Sequence, residues 1–174
     1  RSRAEAKALL ETAKRILTKL GVTLHSEKTR IVNVRHGFEF LGFKIKCGSR
    51  PLHLSPEKIR TRVKQGSLFA YPRSKSIDHF KDQIRGRTRR KAPLTTQQLI
   101  EEINPVIRGW GNYYCKAHVR GLFHRLDAWI VRRLWSHRYK RWRCCGWEEL
   151  PASKLYSEMR LVNLVELIPS IGPH

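Results

Sequence analysis

The sequence predicts an α+β chain: an N-terminal helix and a β-hairpin, followed by a mainly α-helical part built as a three-helix bundle. Three observations lead there. Apolar residues recur at helical spacing in four separate segments. One stretch, residues 38–46, instead alternates residue by residue as a strand does. The length of 174 residues and a hydrophobic content of 40% suit one ordinary domain, or two small ones, with a real core.

In chain order, residues 2–20 place Leu9, Leu10, Ala13, Ile16, Leu17 and Leu20 on one helical face. Ser2 and Glu5 have capping-box spacing, and Gly21 is positioned as a C-terminal stop. The stripe predicts a helix packed on a sheet. A turn at Ser26-Glu27-Lys28 and a strand through Ile31, Val32 and Val34 follow. In 38–46, Phe38, Phe40 and Gly42 fall to one side, with Glu39, Leu41 and Phe43 on the other. A glycine inside a strand predicts a bulge or a close backbone approach. Cys47-Gly48-Ser49 is the expected turn and Leu52-His53-Leu54 the return strand. Ser55-Pro56-Glu57 opens a short helix carrying Ile59 and Val63, and Leu68 to Tyr71 reads as a strand. Ser76 is placed to cap a helix with Ile77, Phe80 and Ile84 inside. Thr95 and Gln98 form a second capping box before Leu99, Ile100, Ile103 and Ile107. The longest helix, 119–139, carries Leu122, Leu126, Trp129, Ile130 and Leu134; with its two predecessors it makes a small bundle.

Lys and Arg number 36 against 14 Asp and Glu, a formal charge of +22. Such an excess attracts a polyanion, and nucleic acid is the expected partner. No apolar run approaches the roughly 20 residues that span a bilayer, so no membrane partner is expected. Cys47, Cys115, Cys144 and Cys145 include no Cys-x-x-Cys pair, which predicts thiols in a reducing, cytoplasmic setting. Cys115, His118 and His124 match no common zinc spacing. The first residue is Arg1 rather than Met, so the chain reads as a fragment or a processed product.

The densest stretch is Asn104-Pro-Val-Ile-Arg-Gly-Trp-Gly-Asn-Tyr-Tyr114. Pro105 predicts a kink or a fresh helix start. Gly109 and Gly111 flank Trp110 and let the backbone pass close to another surface. The segment resembles the maturase-specific domain (domain X, the thumb) of group II intron-encoded reverse transcriptases. There a near-identical Asn-Pro-x-x-Arg-Gly-Trp-x-x-Tyr-Tyr segment lies between two thumb helices. Upstream, Gly37-Phe38-Glu39-Phe40-Leu41-Gly42-Phe43, preceded by Lys28-Thr29, is similar to the last two palm blocks of the same enzymes. The two matches come in the family's order and cover roughly residues 1–143.

The resemblance implies that residues 1–54 are the C-terminal part of a reverse transcriptase palm, a remnant of the polymerase fold, and 55–71 a linker. Residues 72–143 would be the thumb and 144–174 a C-terminal tail. It implies that the first helix covers the palm sheet, and that Lys28 stands near the leaving pyrophosphate as a general acid or positive charge. Phe40, Leu41 and Gly42 would form the primer grip. The implied partners are group II intron RNA, an RNA template and a DNA primer, and Mg2+ for the intact polymerase. No cofactor is expected in this chain: it holds no Asp-Asp pair, and a two-metal centre needs carboxylates. Polymerase activity is therefore assigned to the parent protein.

For RNA, the expected contacts are Arg85, Arg87, Arg89, Arg90 and Lys91 from the basic run, and Arg108, Trp110, Asn112, Tyr113 and Tyr114 from the aromatic segment. Arg132 and Arg133 join them from the long helix. There Arg120, Arg125, Arg138, Lys140, Arg141 and Arg143 extend the positive surface, with Trp135, Tyr139 and Trp142 interleaved. Arginine pairs phosphates bidentately and aromatic rings stack on unpaired bases. The alternative from residues alone is a non-enzymatic basic RNA- or DNA-binding module without intron specificity. The last residues, from about 144, are nearly charge-balanced, lack paired zinc ligands, and predict a tail folded on the bundle.

Overall fold

The computed structural model describes residues 3–47, 68–140 and 147–169. Within them the chain is α+β, as expected. Helix α1 (Arg3–Lys19) precedes strands β1 (Phe38–Phe40), β2 (Phe43–Cys47) and β3 (Leu68–Pro72). Helices α2 (Ser74–Arg87), α3 (Thr96–Tyr114), α4 (Arg120–Tyr139) and α5 (Ala152–Ser157) follow, with a final 3-10 turn at Val165–Leu167. The strands form one antiparallel sheet in the order β1-β2-β3. The expected turn at 48–49, the return strand at 52–54 and the helix near 55–63 lie outside the described residues, as do Ser2, Arg141, Trp142, Arg143, Cys144 and Cys145.

The core is the bundle. Phe80 and Ile84 of α2 meet Leu99, Ile100, Ile103 and Ile107 of α3 and Phe123, Leu126, Ile130 and Leu134 of α4. Leu155, Leu161 and Leu164 of the tail close it. Each such side chain stabilises the fold by about 1.5–3 kcal/mol relative to exposure. Helix α3 starts at the expected capping box: Thr95 accepts from Gln98 N–H while the Gln98 side chain accepts from Thr95 N–H. Ser76 does not cap α2. It lies inside the helix, and its hydroxyl meets the Tyr114 hydroxyl at 2.8 Å and accepts from Trp110 Nε1 at 3.2 Å. Pro105 neither starts nor ends a helix, because α3 runs through it. Pro105 and Glu101 are both exposed, so water can replace the donor that proline lacks.

The hairpin differs from its expected form. Phe40 pairs with Phe43, and the two residues between them are the turn. Leu41 has φ 46° and Gly42 φ 79°, the paired positive values of a type I′ turn. Gly42 is thus a turn residue rather than a strand bulge. A leucine at positive φ costs about 1–2 kcal/mol. The Tyr113 hydroxyl offsets part of this by donating to the Leu41 carbonyl at 2.7 Å. The Tyr114 hydroxyl and Arg73 N–H both donate to the Gly42 carbonyl. Phe43 packs on both tyrosines, with ring centroids 5.4 and 4.9 Å away. A Cβ on Gly42 would lie 2.8 Å from the Tyr114 hydroxyl oxygen. The close approach foreseen at this glycine is therefore to α3.

Two N-terminal expectations change. Residues 31–34 form no strand; they lead into a turn whose Val34 carbonyl accepts from Gly37 and Cys47 N–H. Helix α1 forms and ends at Gly21, φ 73°, with Val22 N–H on Leu17 and Gly21 N–H on Thr18. It buries no residue, however, and Leu9 is 62% exposed. Among the described residues its stripe finds no burying partner.

The tail does fold onto the bundle, and α3 holds it. Asn104 Nδ2 donates to the Arg160 carbonyl and Asn104 Oδ1 accepts from Val162 N–H, both at 2.9 Å. Two turns further on, Gly111 makes room for two leucines: a Cβ there would meet Leu167 Cδ1 at 2.4 Å and Leu164 Cδ2 at 2.8 Å. Gly109 has nothing within 4 Å of the same position. The two glycines of the motif therefore serve different ends.

Candidate nucleic-acid interface

The bundle gathers cations where α2 ends against α4. Arg133, half-buried on α4, reaches across to the last turn of α2. Its Nε donates to Thr88 Oγ1 at 3.0 Å and an amino group to the Thr88 carbonyl at 2.8 Å. Helix carbonyls carry partial negative charge at that end, so a cation there is stabilising. Burial lowers the affinity of the Arg133 guanidinium for its proton, and the neighbouring charges of Arg85 and Arg90 lower it further. Arg85 bonds Asp82 at 2.7 Å and lies over the Trp129 ring at 5.7 Å. Arg90 Nε donates to Ser136, and Lys140 Nζ donates to the Arg90 carbonyl. Arg89 and Lys91 are exposed on the connection to α3. This end of the bundle presents several cations that repel one another, and phosphate groups relieve that repulsion.

A second basic region lies at the hairpin. Lys28 ends the expected turn and lines an open depression of about 640 Å³ with Arg30, His36, Phe38, Phe40 and Lys44. Phe40 and Leu41 at the hairpin tip are 58% and 67% exposed. The structure thus places Lys28 and Phe40 on one depression, while Gly42 faces the tyrosines.

The aromatic segment divides. Arg108 and Asn112 are exposed, and Tyr113 is 54% exposed with its hydroxyl on Leu41. Tyr114, expected on RNA, is 4% exposed and bonded within the protein. Trp110, also expected on RNA, is half-buried against Phe80, Tyr114 and Phe123, with centroids 4.6, 4.8 and 5.8 Å away. These two form the junction of bundle and hairpin because Ser76, inside α2, offers an oxygen to both. Arg87 bonds Gln83 one turn back on its own helix. Arg132 is exposed on a different face from Arg133 and borders a groove between α4 and the tail.

That groove has a volume of about 510 Å³. Asp127, 7% exposed, sits in its wall and accepts from Leu164 and Val165 N–H, at 3.0 and 3.3 Å, so its carboxylate caps the 3-10 turn. Burial raises its pKa above 3.8, against the two backbone bonds, which lower it. Sequence reasoning passed over Asp127, yet a signal existed: it is the single acid in the twenty residues of α4. Asp127→Ala is expected to lower stability by about 2 kcal/mol, as two charge-assisted bonds are lost, and to expose the tail to protease. The carboxyl titrates higher folded than unfolded, so the native protein binds more protons across that window. Wild-type stability then falls as pH rises from about 3.8 to the raised value, and the alanine variant lacks this slope; urea titrations across that range check both.

Among the described residues no helix is long and apolar enough to cross a membrane. Cys115 donates to the Asn112 carbonyl, and His118 pairs with Ala70 through backbone N–H and ring Nδ1, joining β3 to the bundle. No curated protein matches the chain. Residues 77–150 match the family model for the group II intron, maturase-specific domain. That span takes in nearly all of α2, the whole of α3 and α4, the cation cluster, and the Asn104 to Tyr114 segment. Over residues 77–150, the chain is similar to the maturase-specific domain of group II introns.

Proposed function

We propose that the chain binds folded group II intron RNA through the cations of α2, α4 and the connection between α2 and α3, and so supports splicing. The observation that carries this is the Arg85, Arg90 and Arg133 cluster inside the span matched to the maturase-specific domain. Arginine suits the task because its planar fork pairs phosphates bidentately and stays charged. In splicing the RNA performs the chemistry. A protein surface that fits only the active RNA fold shifts the folding equilibrium by its differential affinity.

The same reading makes this chain the C-terminal part of a reverse transcriptase in which template RNA and DNA primer pass the hairpin. Phe40 and Leu41, exposed at the tip, would press on the primer backbone, held by the Gly42 contact to Tyr114. Lys28 would neutralise charge on the departing pyrophosphate. The described residues contain no group of three His, Cys, Asp or Glu able to hold a metal ion, and the sequence has no Asp-Asp pair. No phosphoryl-transfer step is assigned to the described residues.

Competition between a structured group II intron RNA and an unstructured RNA of equal length, at near-physiological salt, tests the proposal. The expected result is a clear preference for the intron, with Arg108→Ala lowering intron affinity more than affinity for the unstructured RNA. Equal affinity for the two RNAs, both with this chain and with the preceding palm region restored, would leave a basic binder without intron specificity.

A further inference from the structure

The groove between α4 and the tail lies on the Arg132 side of the helix. It is built from one face of α4, including Asp127, Val131, Arg132 and Trp135, and from Tyr156 and Asn163 opposite. Val131 is 3% exposed and floors it, while Trp135 and Tyr156 are half-buried. Trp135 is fixed by its Nε1 donating to the Leu150 carbonyl at 2.8 Å. The Asp127 carboxylate is held by the turn it caps, and the Asn163 amide is held by Glu166 and Val165. Burial, with Asp127 and Glu166 nearby, pushes the Tyr156 phenol well above its ordinary pKa, so it remains a neutral hydroxyl. A volume of about 510 Å³ falls within the range of roughly 300–1,000 Å³ typical of small-ligand sites.

The features sort by depth. Aromatic and aliphatic surface lies within, a few immobilised polar groups face it, and the exposed Arg132 guanidinium stands at the mouth of a chain with a net charge of +22. A flat aromatic ring attached to a phosphate has the complementary order. We infer that this groove takes one unpaired nucleotide of a bound RNA, with its base against Trp135 and Tyr156 and its phosphate at Arg132. The inference rests on the RNA-binding reading and adds base recognition at a place remote from Asn104 to Tyr114. It requires single-stranded RNA, because a base inside a duplex does not present its face.

The test compares a short single-stranded RNA with an abasic strand of equal length and charge, using the full chain. Wild type is expected to bind the base-bearing strand about tenfold tighter, the effect of one stacked base. Ala128 is exposed on α4 and lines the groove. Ala128→Phe fills the space without removing a cation, so it is expected to abolish most of that preference and leave the salt dependence unchanged. Equal binding of the two strands by wild type, or an undiminished preference in a folded Ala128→Phe, overturns the inference. If that variant fails to fold, 4-thiouridine photocrosslinking to the unmodified protein decides: crosslinks at Trp135 or Tyr156 support the groove, and crosslinks confined to Tyr113 or the hairpin refute it. No arm uses intron RNA, so loss of intron preference in the competition assay leaves this outcome independent.

Discussion

Trp110→Ala is expected to lower unfolding free energy by about 3 kcal/mol, the low end for truncating a packed tryptophan. The ring touches three aromatics from α2, α3 and α4 and donates to Ser76. Its removal leaves a cavity at the point where three helices meet and frees the Ser76 hydroxyl shared with Tyr114. Trp110→Phe keeps the stacking and loses the N–H bond, so its cost should be near 1 kcal/mol. Chemical denaturation of both variants measures the two terms. A cost below 1 kcal/mol for Trp110→Ala would show that the ring is free to act at the surface. With the expected cost, lost RNA binding in that variant reports a damaged junction, and exposed Arg108 is the better probe of contact.

Neutralising Arg85, Arg89 and Lys91 together to Gln is expected to weaken RNA binding with little loss of stability. Arg89 and Lys91 are exposed, and Arg85 gives up only an exposed pair with Asp82 and its place over Trp129. Each phosphate contact removed lowers the slope of log affinity against log salt by about 0.7–0.9. Three contacts give a slope shallower by about 2–3 and an affinity loss that is largest at low salt. An unchanged slope would place the RNA elsewhere. Arg133 is left out of the set, since its bonds to Thr88 hold α2 to α4 and its loss would confuse folding with binding.

The helices were legible because their signals are local. Leu99, Ile100, Ile103 and Ile107 repeat at helical spacing, and Thr95 and Gln98 form the capping box their spacing predicts. Gly21 terminates α1 as a positive-φ residue should. The hairpin turn was missed for a local reason as well: leucine is a poor turn residue, and its positive φ at position 41 is supported by a tyrosine 72 positions away. That α1 buries none of its stripe among the described residues was not legible, since an apolar stripe states only that a partner is wanted. The charge excess announced a polyanion partner, but spacing alone does not separate Arg133, spent on a helix end, from Arg132, which faces a groove. The Asn104 to Tyr114 stretch stood out by composition. That it binds the tail through Asn104 and Gly111, and the hairpin through Tyr113 and Tyr114, depends on segments brought in from both ends of the chain.

The grip of Tyr113 and Tyr114 on the turn at Leu41-Gly42 also sets an order of events during synthesis. The ribosome delivers the turn about 72 residues before the hydroxyls that hold it, several seconds earlier at roughly 5–20 residues per second. Until then the strained Leu41 carbonyl has no tyrosine to bond, and the β1-β2 hairpin, marginal alone in water, has only β3 beside it. The bundle, whose contacts are mostly local, gains its core rapidly once α4 has left the exit tunnel. The hairpin is then captured by an already folded surface, so the nascent chain acquires its shape from the later segment toward the earlier one.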